Sequence, residues 1–423
     1  MRILFLSNFY PPYELGGYEQ WCAEVAARLV ARGHEIEVLT SNYGSRSGFS
    51  GDSPHVYRVL YLQSDLSYYR PTNFFVKRPL QDKQNIRILR QTIDRFQPEL
   101  IMVWGMWNLS KFLPYWAEKW MPGRVAYFIS NYWPRDVDPH TAYWNLPTRR
   151  AATKIIKDPL RKFALGILKA EHYPPRLQLE NAVCCSHYVR DTLVKSGDLP
   201  ERSGVIFGGI EADDFARYSK LDGKDQSRQP EPLKCVYFGR LIHDKGVHTA
   251  IEALGLLKQQ GLSDNIQLTI IGSGHPAYEE YLQKLVDELG IREQVKFIKK
   301  VHRKDIPKLL SNFNIFLFTS IWAEPMARSV MEAMASGLLV IGTEVGGQAE
   351  MLSNGVNSLT FAPGDSSALA KQIALVSKHW LMSVQLARAG QVLVMEKFTL
   401  DRMVTDIEDY LANRFKAPAK LSE

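Results

Sequence analysis

Several features that define other protein classes are missing from this chain of 423 residues. No apolar run approaches the roughly 20 residues of a membrane-spanning helix, and the run Ile3 to Leu6 is too short for the core of a signal peptide. The four cysteines include no C-x-x-C pair, which favours buried, reduced thiols over disulfides or a metal site. The G-x-G-x-x-G fingerprint of dinucleotide enzymes is also absent, so an NAD-linked enzyme is the weakest interpretation. These absences predict a cytoplasmic globular protein.

The composition fits a soluble globular protein, with 45% hydrophobic and 23% charged residues. The length exceeds one ordinary hydrophobic core and predicts two domains of about 200 residues each. The formal net charge of +7 is concentrated in one window, because eight basic and only two acidic residues lie between Thr148 and Arg176.

Apolar residues alternate with these cations at near-helical spacing across residues 149–170. One hypothesis is an amphipathic surface helix that contacts an anionic membrane, at the inner face of the membrane. The equally supported alternative is a solvated basic helix whose apolar face packs on its own domain. Nucleic acid is a poorer partner, because no nucleic-acid-binding signature accompanies the charge.

Short apolar runs alternate with helical patterns in both halves, as expected of parallel sheets with crossover helices. The predicted strands of the first half are Ile3–Leu6, Glu35–Leu39, Leu100–Val103, Val125–Ile129 and Ala182–Cys185. Those of the second half are Lys234–Phe238, Gln267–Ile271, Val295–Ile298, Ile315–Phe318 and Leu339–Ile341. The polar, proline-containing stretch 222–232 predicts a linker between the halves.

The most informative segment runs from Trp322 to Gly337 and reads WAEPMARSVMEAMASG. Pro325 suits the first turn of a helix, which places Glu324 just before the helix. Glu332 then lies about 12 Å further along the axis. Free N–H groups of a first helical turn favour an anion. A ligand with hydroxyls at both ends and phosphates between them fits this arrangement, and a nucleotide-diphosphate sugar is such a ligand.

A second segment, Gly239 to Gly246, follows a predicted strand and opens a helix. It brings the cations Arg240 and Lys245 to one helix entrance. A departing nucleoside diphosphate accumulates negative charge, which cationic side chains or a metal must stabilise. No convincing Asp-x-Asp metal clamp is present, so the two cations are the expected substitute.

These segments resemble the family-4 retaining glycosyltransferases (glycosyl transferases group 1). Glu324 and Glu332 match the E-x7-E element, Gly239 to Gly246 matches G-R-x-x-x-x-K-G, and V-G-G-Q-A-E follows at 345–350. The resemblance is loose to about residue 210 and close from Lys234 to Glu350. It implies the GT-B fold, in which two Rossmann-like, doubly wound parallel-sheet domains face an interdomain cleft.

The resemblance also implies a domain plan. Residues 1–221 would form the acceptor-binding domain and 233–398 the nucleotide-sugar-binding domain, with 222–232 as the linker. Residues 399–423 would form a C-terminal helix that returns to the N-terminal domain.

The resemblance assigns roles to individual residues. Its catalytic residues would be Arg240, Lys245 and Glu324. Glu324 would hold donor-sugar hydroxyls and Glu332 those of the ribose. The donor-binding positions would be Gly16, Gly17, Gly272, Gly274, Val301, Met326, Ala327, Arg328 and Glu332. The acceptor-side positions would be Trp107, Ser130 and Asn131. No metal and no cofactor are expected, because the nucleotide-diphosphate sugar is a substrate.

Three departures from the family pattern concern the site. Ser130 stands where many relatives carry a histidine, and it cannot act as a cation or proton shuttle. Lys299 stands where a glycine is expected beside the base. Met326-Ala327 replaces Phe-Gly, although Ala327 keeps the backbone N–H that would meet the donor.

The expected function is metal-independent transfer of a sugar, with retention, from a nucleotide-diphosphate sugar to a hydroxyl of a glycan or lipid-linked glycan. Surface polysaccharide biosynthesis is the expected setting. Two alternatives stay open: a GT-B nucleotide-sugar epimerase, and an inactive sugar-nucleotide-binding or assembly protein.

Overall fold

The computed structural model describes residues 1–44, 49–50, 55–66, 68–148, 151–221 and 228–415. The chain divides into two compact units. The N-terminal unit comprises Met1–Cys185, Val189–Ile206 and Val404–Glu423, and the C-terminal unit comprises Ser186–Tyr188 and Phe207–Met403. Part of the predicted linker, residues 222–227, lies outside the described residues, as do Arg149 and Arg150 of the basic segment.

The N-terminal unit contains an eight-stranded sheet. Its strands are β1 Arg2–Ser7, β2 Glu35–Ser41, β3 Phe49–Ser50, β4 His55–Leu60, β5 Leu100–Gly105, β6 Val125–Ile129, β7 Asn181–Cys184 and β8 Gly204–Val205. They lie in the order β3-β4-β2-β1-β5-β6-β7-β8, and every neighbouring pair is parallel except β3 with β4. Its helices are α1 Gly17–Ala31, α2 Pro71–Val76, α3 Arg78–Phe96, α4 Phe112–Trp120, α5 Pro139–Asn145, α6 Ala151–Ala170 and α7 His187–Lys195.

The central strands of this sheet are buried on both faces, which explains their continuous apolar sequences. Ile3 to Leu6 of β1 have no exposed surface, and all residues of β5 and β6 are buried. Helix α1 buries Trp21, Val25 and Leu29, which recur at the spacing of one helical face. Parallel strands of this kind bring their carboxyl ends, and the loops that follow them, to one edge of the sheet.

A smaller cluster beside the main core joins α2, α5 and α6. Phe74, Trp144, Ala164, Leu168 and Tyr173 are all buried in it. The phenyl rings of Phe74 and Phe75 each pack edge-to-face on Trp144. The long insertion between β6 and β7 is therefore fixed to α2 by aromatic packing.

The C-terminal unit contains a six-stranded sheet that is parallel throughout. Its strands are β9 Leu233–Phe238, β10 Ile266–Ile271, β11 Val295–Ile298, β12 Ile315–Phe318, β13 Leu339–Gly342 and β14 Leu359–Thr360, in the order β11-β10-β9-β12-β13-β14. Its helices are α8 Ala212–Ala216, α9 Val247–Gln259, α10 Pro276–Glu288, α11 Ile306–Leu310, α12 Arg328–Ala335, α13 Ser366–Lys378 and α14 Trp380–Lys397. The last helix, α15 Leu400–Arg414, begins in this unit. Both units are thus parallel-sheet α/β folds, as predicted.

The division between the units differs from the predicted boundary at residue 221. Residues from Phe207 onward pack with the C-terminal unit, where Arg388 donates to the carbonyl of Leu221 (2.6 Å) and Ile210 pairs with Thr399. Helix α15 continues from Val404 into the N-terminal unit. Its Glu408 forms ion pairs there with Arg32 (2.7 Å) and His34 (2.8 Å).

No helix within the described ranges has the length and apolar character needed to cross a membrane. Cys22, Cys184, Cys185 and Cys235 are buried free thiols. Burial raises the pKa of the Cys184 and Cys235 thiols to about 12, which keeps them protonated and unreactive.

Candidate functional site

The segment before α12 is extended, and the helix begins later than predicted. Helix α12 starts at Arg328, with Ala327 as an extended N-cap residue, so the placement of Pro325 in the first helical turn was wrong. The backbone N–H of Gly347 donates to the carbonyl of Glu324 (2.7 Å), and the hydroxyl of Ser186 donates to that of Pro325 (2.8 Å). These bonds engage the carbonyls that a helix starting at Pro325 would use.

Gly346 and Gly347 allow this close approach of two backbones. A Cβ atom on Gly347 would lie 1.9 Å from the carbonyl oxygen of Pro325, and Gly346 has a φ of +63°. The V-G-G sequence therefore holds the segment around Glu324 against the turn after β13. Glu350 accepts from the backbone N–H groups of His187 (2.9 Å) and Tyr188 (2.8 Å) and fixes the far end of this turn.

Glu324 is buried and has two side-chain partners. One carboxylate oxygen forms an ion pair with Lys245 and also accepts from the hydroxyl of Ser320 at 2.9 Å. Lys245 and Glu324, both assigned catalytic roles by the resemblance, stand 79 positions apart in the sequence and are in contact in the folded unit.

The backbone at Lys245 is held by residues that follow β12, the strand that leads to Glu324. The hydroxyl of Thr319 donates to the carbonyl of Lys245 (2.8 Å), and the N–H of Ile321 donates to that of Asp244 (3.0 Å). Gly246 has a φ of +61°, and a Cβ there would lie 2.1 Å from the carbonyl oxygen of Thr319. The loop after β9 therefore packs backbone to backbone on the end of β12, which fixes the base of the Lys245 side chain.

Glu332 lies in the second turn of α12 and is only 1% exposed. Arg303, from the loop after β11, forms an ion pair with its carboxylate, and Arg328 Nε lies 3.7 Å from the same oxygen. A buried carboxylate requires such partners. The two glutamates therefore each pair with a cation from another loop at the carboxyl end of the sheet.

Arg240 is exposed at the start of the same loop, and its side chain makes no hydrogen bond or ion pair with any described residue. Its backbone is fixed, because the hydroxyl of Tyr237 donates to the carbonyl of Arg240 (2.9 Å). Burial, and then the charge of Glu324, raises the pKa of Tyr237, so this hydroxyl stays a donor. A free guanidinium on a fixed loop is able to bind an oxyanion.

Gly272 and Gly274 have a packing role. A Cβ on Gly272 would lie 1.9 Å from the carbonyl oxygen of Gly239, and one on Gly274 would lie 1.8 Å from that of Leu241. The loop after β10 thus packs directly on the loop that carries Arg240 and Lys245. Val301 and the unexpected Lys299 lie in the next loop, where the N–H of Lys300 donates to the hydroxyl of Ser273.

The residues predicted on the N-terminal side lie after β1, β5 and β6, which are neighbours in the sheet. Gly16 precedes α1, where its N–H donates to the carboxylate of Glu19 (2.9 Å). Glu19 is fully buried, and this burial raises its pKa. Glu19 therefore engages the N–H of Gly16, and the donor-binding role of Gly16 and Gly17 stays a prediction.

The three predicted acceptor-side residues also follow these strands. The Trp107 indole donates to the hydroxyl of Tyr18 (3.1 Å). The Ser130 hydroxyl is buried without a partner among the described residues. Asn131 accepts from the N–H of Trp133 (3.2 Å). Of these three residues, only Ser130 has a buried polar atom without a hydrogen-bond partner among the described residues.

Two residues that the sequence analysis missed are essential to this geometry. Arg303 binds Glu332, and Ser320 joins Glu324 to the loop of Lys245. Ser320 has a sequence signal, because it lies two residues after the buried strand β12, at the carboxyl edge of the sheet where ligands bind. Arg303 has none, since its loop contains several other cations.

Comparison with known families identifies the class of protein. Residues 15–214 match the model "Glycosyltransferase Family 4" and residues 220–392 match "Glycosyl transferases group 1". The chain belongs to the group 1 / family 4 glycosyltransferases.

The individual relatives have low sequence identity to this chain, but the matches extend over half of the chain or more. The uncharacterized glycosyltransferase MJ1607 of Methanocaldococcus jannaschii is 22% identical over 96% of both chains. The amylovoran biosynthesis glycosyltransferase AmsK of Erwinia amylovora is 30% identical over 53% of this chain and 54% of its own. Anabaena HepE, solved with UDP-glucose, superposes with a TM-score of 0.66 at 18% identity, covering 98% of this chain and 100% of its own. The fold is GT-B, as predicted.

Proposed function

We propose that the protein transfers a sugar from a nucleotide-diphosphate sugar to a hydroxyl of a glycan or glycolipid, with retention and without a metal ion. The C-terminal unit binds the donor, and the N-terminal unit selects the acceptor. The observation that carries this proposal is the pairing of Lys245 with Glu324 and of Arg303 with Glu332 around the start of α12. Each pair presents an anion for sugar or ribose hydroxyls and a cation for phosphate.

The chemical step requires charge stabilisation at the departing diphosphate. The bond between the anomeric carbon and the phosphate oxygen breaks, and a bond to the acceptor oxygen forms on the same face of the sugar. The acceptor proton passes to the departing phosphate oxygen. Lys245 and Arg240 neutralise the charge that develops there, which is the role a metal would otherwise fill.

Glu324 has two tasks in this proposal. It accepts hydrogen bonds from donor-sugar hydroxyls. It also orients Lys245, because Lys245 and Ser320 both contact the same carboxylate oxygen of Glu324. Glu332 binds the ribose hydroxyls. Met326, Ala327 and Arg328 supply the backbone of the helix start, where no side chain caps the first turn and an anion is favoured.

The relatives support the substrate class. HepE was solved with UDP and with UDP-glucose, and two relatives are named as an amylovoran biosynthesis glycosyltransferase and a putative colanic acid biosynthesis glycosyltransferase. We therefore propose a nucleotide sugar as donor and surface polysaccharide biosynthesis as the setting.

Removal of one cation tests the proposal. Lys245→Ala should lower kcat/KM for release of nucleoside diphosphate from the donor by about 10²–10³-fold, as loss of one oxyanion-stabilising group does. Lys371→Ala, an exposed lysine on α13, is the matched control and should retain full rate. Full transferase activity in Lys245→Ala would refute the phosphate role.

We further propose that the protein works at the inner face of an anionic membrane, which α6 contacts. Ile155 is 81% and Phe163 62% exposed, although Ala164 and Leu168 of the same helix are buried. Phe163 stacks on Phe75 at 5.9 Å, so the exposed apolar surface continues onto α2. Exposed basic side chains at Lys154 and Lys162 border this surface. An apolar face with a basic border complements an anionic lipid surface.

Co-sedimentation with vesicles tests this contact. The wild type should pellet with vesicles containing phosphatidylglycerol and much less with phosphatidylcholine alone. Ile155→Ser/Phe163→Ser should lose this binding, whereas Leu381→Ser, an exposed leucine of the C-terminal unit, should keep it. Failure of the wild type to bind anionic vesicles at any salt concentration would refute the membrane contact.

A further inference from the structure

The N-terminal unit contains a polar cavity of about 370 Å³ that none of the predicted site residues lines. It lies where β2 and β4 end, at the carboxyl edge of the sheet. Its described lining is formed by Asn42-Tyr43, Tyr61 to Leu66, Arg70, Asn73 and Lys77 to Asp82, without Pro79 and Leu80. Its volume is within the range of small-molecule sites, and the carboxyl ends of parallel strands are where such folds bind ligands.

Two buried asparagines hold the wall of this cavity in place. Asn85 exchanges hydrogen bonds with the backbone N–H (2.8 Å) and carbonyl (2.9 Å) of Tyr61. Asn108 does the same for Ser64, accepting from its N–H (3.1 Å) and donating to its carbonyl (2.9 Å). The loop after β4 is therefore pre-organised by side chains from two other elements, as binding sites require.

Arg78 forms the cavity's most unusual feature. It is 4% exposed, its Nη2 pairs with Glu171, and its guanidinium lies over the rings of Phe74 (4.7 Å) and Tyr173 (5.7 Å). Its Nε and Nη1 are buried and have no hydrogen-bond partner among the described residues. Buried donors without partners destabilise a fold. An arginine that is buried despite this destabilisation indicates a ligand whose acceptor atoms pair with Nε and Nη1.

The surrounding groups favour an oxyanion that carries hydroxyls. Lys77 at the rim is exposed, and its ammonium has no partner among the described residues. Burial raises the pKa of Asp82 to about 6, opposed by Arg78 and by the Ser110 hydrogen bond, so its negative charge falls as the pH drops from 7 to 6. Gln63 leaves a buried carbonyl oxygen unsatisfied, which is an acceptor for a hydroxyl.

We infer that this cavity binds the polar head of the acceptor, a hydroxylated ring bearing a phosphate or carboxylate, and that Arg78 and Lys77 bind its oxyanion. This inference rests on the proposed transferase function and names its acceptor class. Val76 and Leu80, 67% and 68% exposed, lie within three positions of Lys77 in the chain, and the nearby Phe75 stacks on Phe163. An acceptor whose head fills the cavity therefore has exposed apolar side chains close to Lys77 for a lipid tail.

Binding of defined probes tests the inference. Glucose 1-phosphate and glucuronate are compared with glucose and with inorganic phosphate by saturation-transfer NMR on the full chain. The two anionic sugars should bind. Arg78→Gln should weaken their binding by about tenfold, as expected for loss of a charge-assisted hydrogen bond, and Lys77→Glu should weaken it by at least about threefold. Lys83→Glu, an exposed residue of the same helix outside the lining, is the matched control and should bind as the wild type does.

The outcomes separate this inference from the proposed function. UDP-induced stabilisation is measured on the same variants, because the donor residues lie in the other unit. If Lys77→Glu folds and binds the anionic sugars like the wild type, or if no probe binds, the head-group assignment is refuted while UDP binding stands. Equal affinity for inorganic phosphate and glucose 1-phosphate would also refute it, because the cavity would then be a simple anion site.

Discussion

At the scale of single residues, the notable property of the candidate donor site is that its carboxylates are already paired. Glu324 pairs with Lys245 and Glu332 with Arg303. In the proposed function, a donor exchanges part of each pair for its own hydroxyls and phosphates. Since the carboxylates are buried and the cations come from separate loops, donor binding should order three loops together.

Glu332 provides a direct prediction about binding. Glu332→Ala should weaken binding of the donor nucleotide by about 10–100-fold, because charge-assisted hydrogen bonds to the ribose are lost. Isothermal titration with the nucleotide measures this. Glu288→Ala, an acidic residue at the exposed end of α10, is the control and should leave affinity unchanged. Unchanged affinity in Glu332→Ala would remove this residue from the donor site.

His140 predicts a pH dependence of stability. It is 1% exposed, its Nδ1 lies 2.8 Å from the Tyr69 hydroxyl, and burial, with a smaller effect of Arg78, lowers its pKa to about 3. The unfolded chain binds a proton at this residue below about pH 6.5 and the folded chain does not. Stability is therefore lost as the pH falls through 6.5, by roughly 2 kcal/mol between pH 7 and pH 5.

The measurement is urea unfolding at pH 7 and pH 5. His140→Gln should lose about 2 kcal/mol less than the wild type over this interval. The comparison isolates His140, because Asp82, whose raised pKa has the opposite effect, is present in both proteins. Equal losses in the two proteins would show that His140 is not held neutral.

The sequence assigned Arg240, Lys245, Glu324 and Glu332 to the donor site from spacing and resemblance, and their roles stay predictions. The structure pairs Lys245 with Glu324, and Glu332 with Arg303. Arg303 could not be predicted, because only the fold shows which loop meets α12. The helix start was misplaced, because the bonds that keep Pro325 extended come from Ser186 and Gly347, distant in sequence.

At the scale of elements, strands buried on both faces were predictable from their continuous apolar sequences, as Val125–Ile129 and Ile315–Phe318 show at their observed bounds. The edge strand Val295–Ile298 was also predicted at its observed bounds, although Lys296 interrupts its apolar run. β4 was missed, because His55 and Arg58 interrupt its apolar pattern near the sheet edge. β3, β8 and β14 are only two residues long and carry no pattern.

Replacing glycine with alanine should change the free energy of unfolding in opposite directions at two positions. Gly274→Ala should lower the free energy of unfolding by about 1–3 kcal/mol, because its Cβ would meet the carbonyl oxygen of Leu241 at 1.8 Å. It should also weaken nucleotide binding, since that loop supports Arg240 and Lys245. Gly166→Ala in α6 meets no atom within 4 Å and should stabilise the protein by up to about 1 kcal/mol. Urea unfolding of both variants measures the difference, and a neutral Gly274→Ala would contradict the backbone packing.

At the scale of the whole molecule, two units of similar architecture carry different kinds of residue. The C-terminal unit pairs carboxylates with cations at loop ends, whereas the N-terminal unit has a polar cavity beside the buried Arg78 and an exposed apolar helix surface. In the proposed function, the first set serves the donor and the second serves the acceptor.

The most direct test of the account is a thermal-shift panel with UDP, GDP, ADP, dTDP and their common sugar conjugates. A ligand at about 100 times its Kd should add roughly 2.7 kcal/mol to the stability of the native state. The account predicts that one nucleotide raises the unfolding midpoint of the wild type and that Glu332→Ala loses most of this shift. Silence across the panel from a folded protein would contradict a nucleotide-sugar transferase, and an undiminished shift in Glu332→Ala would contradict the proposed site.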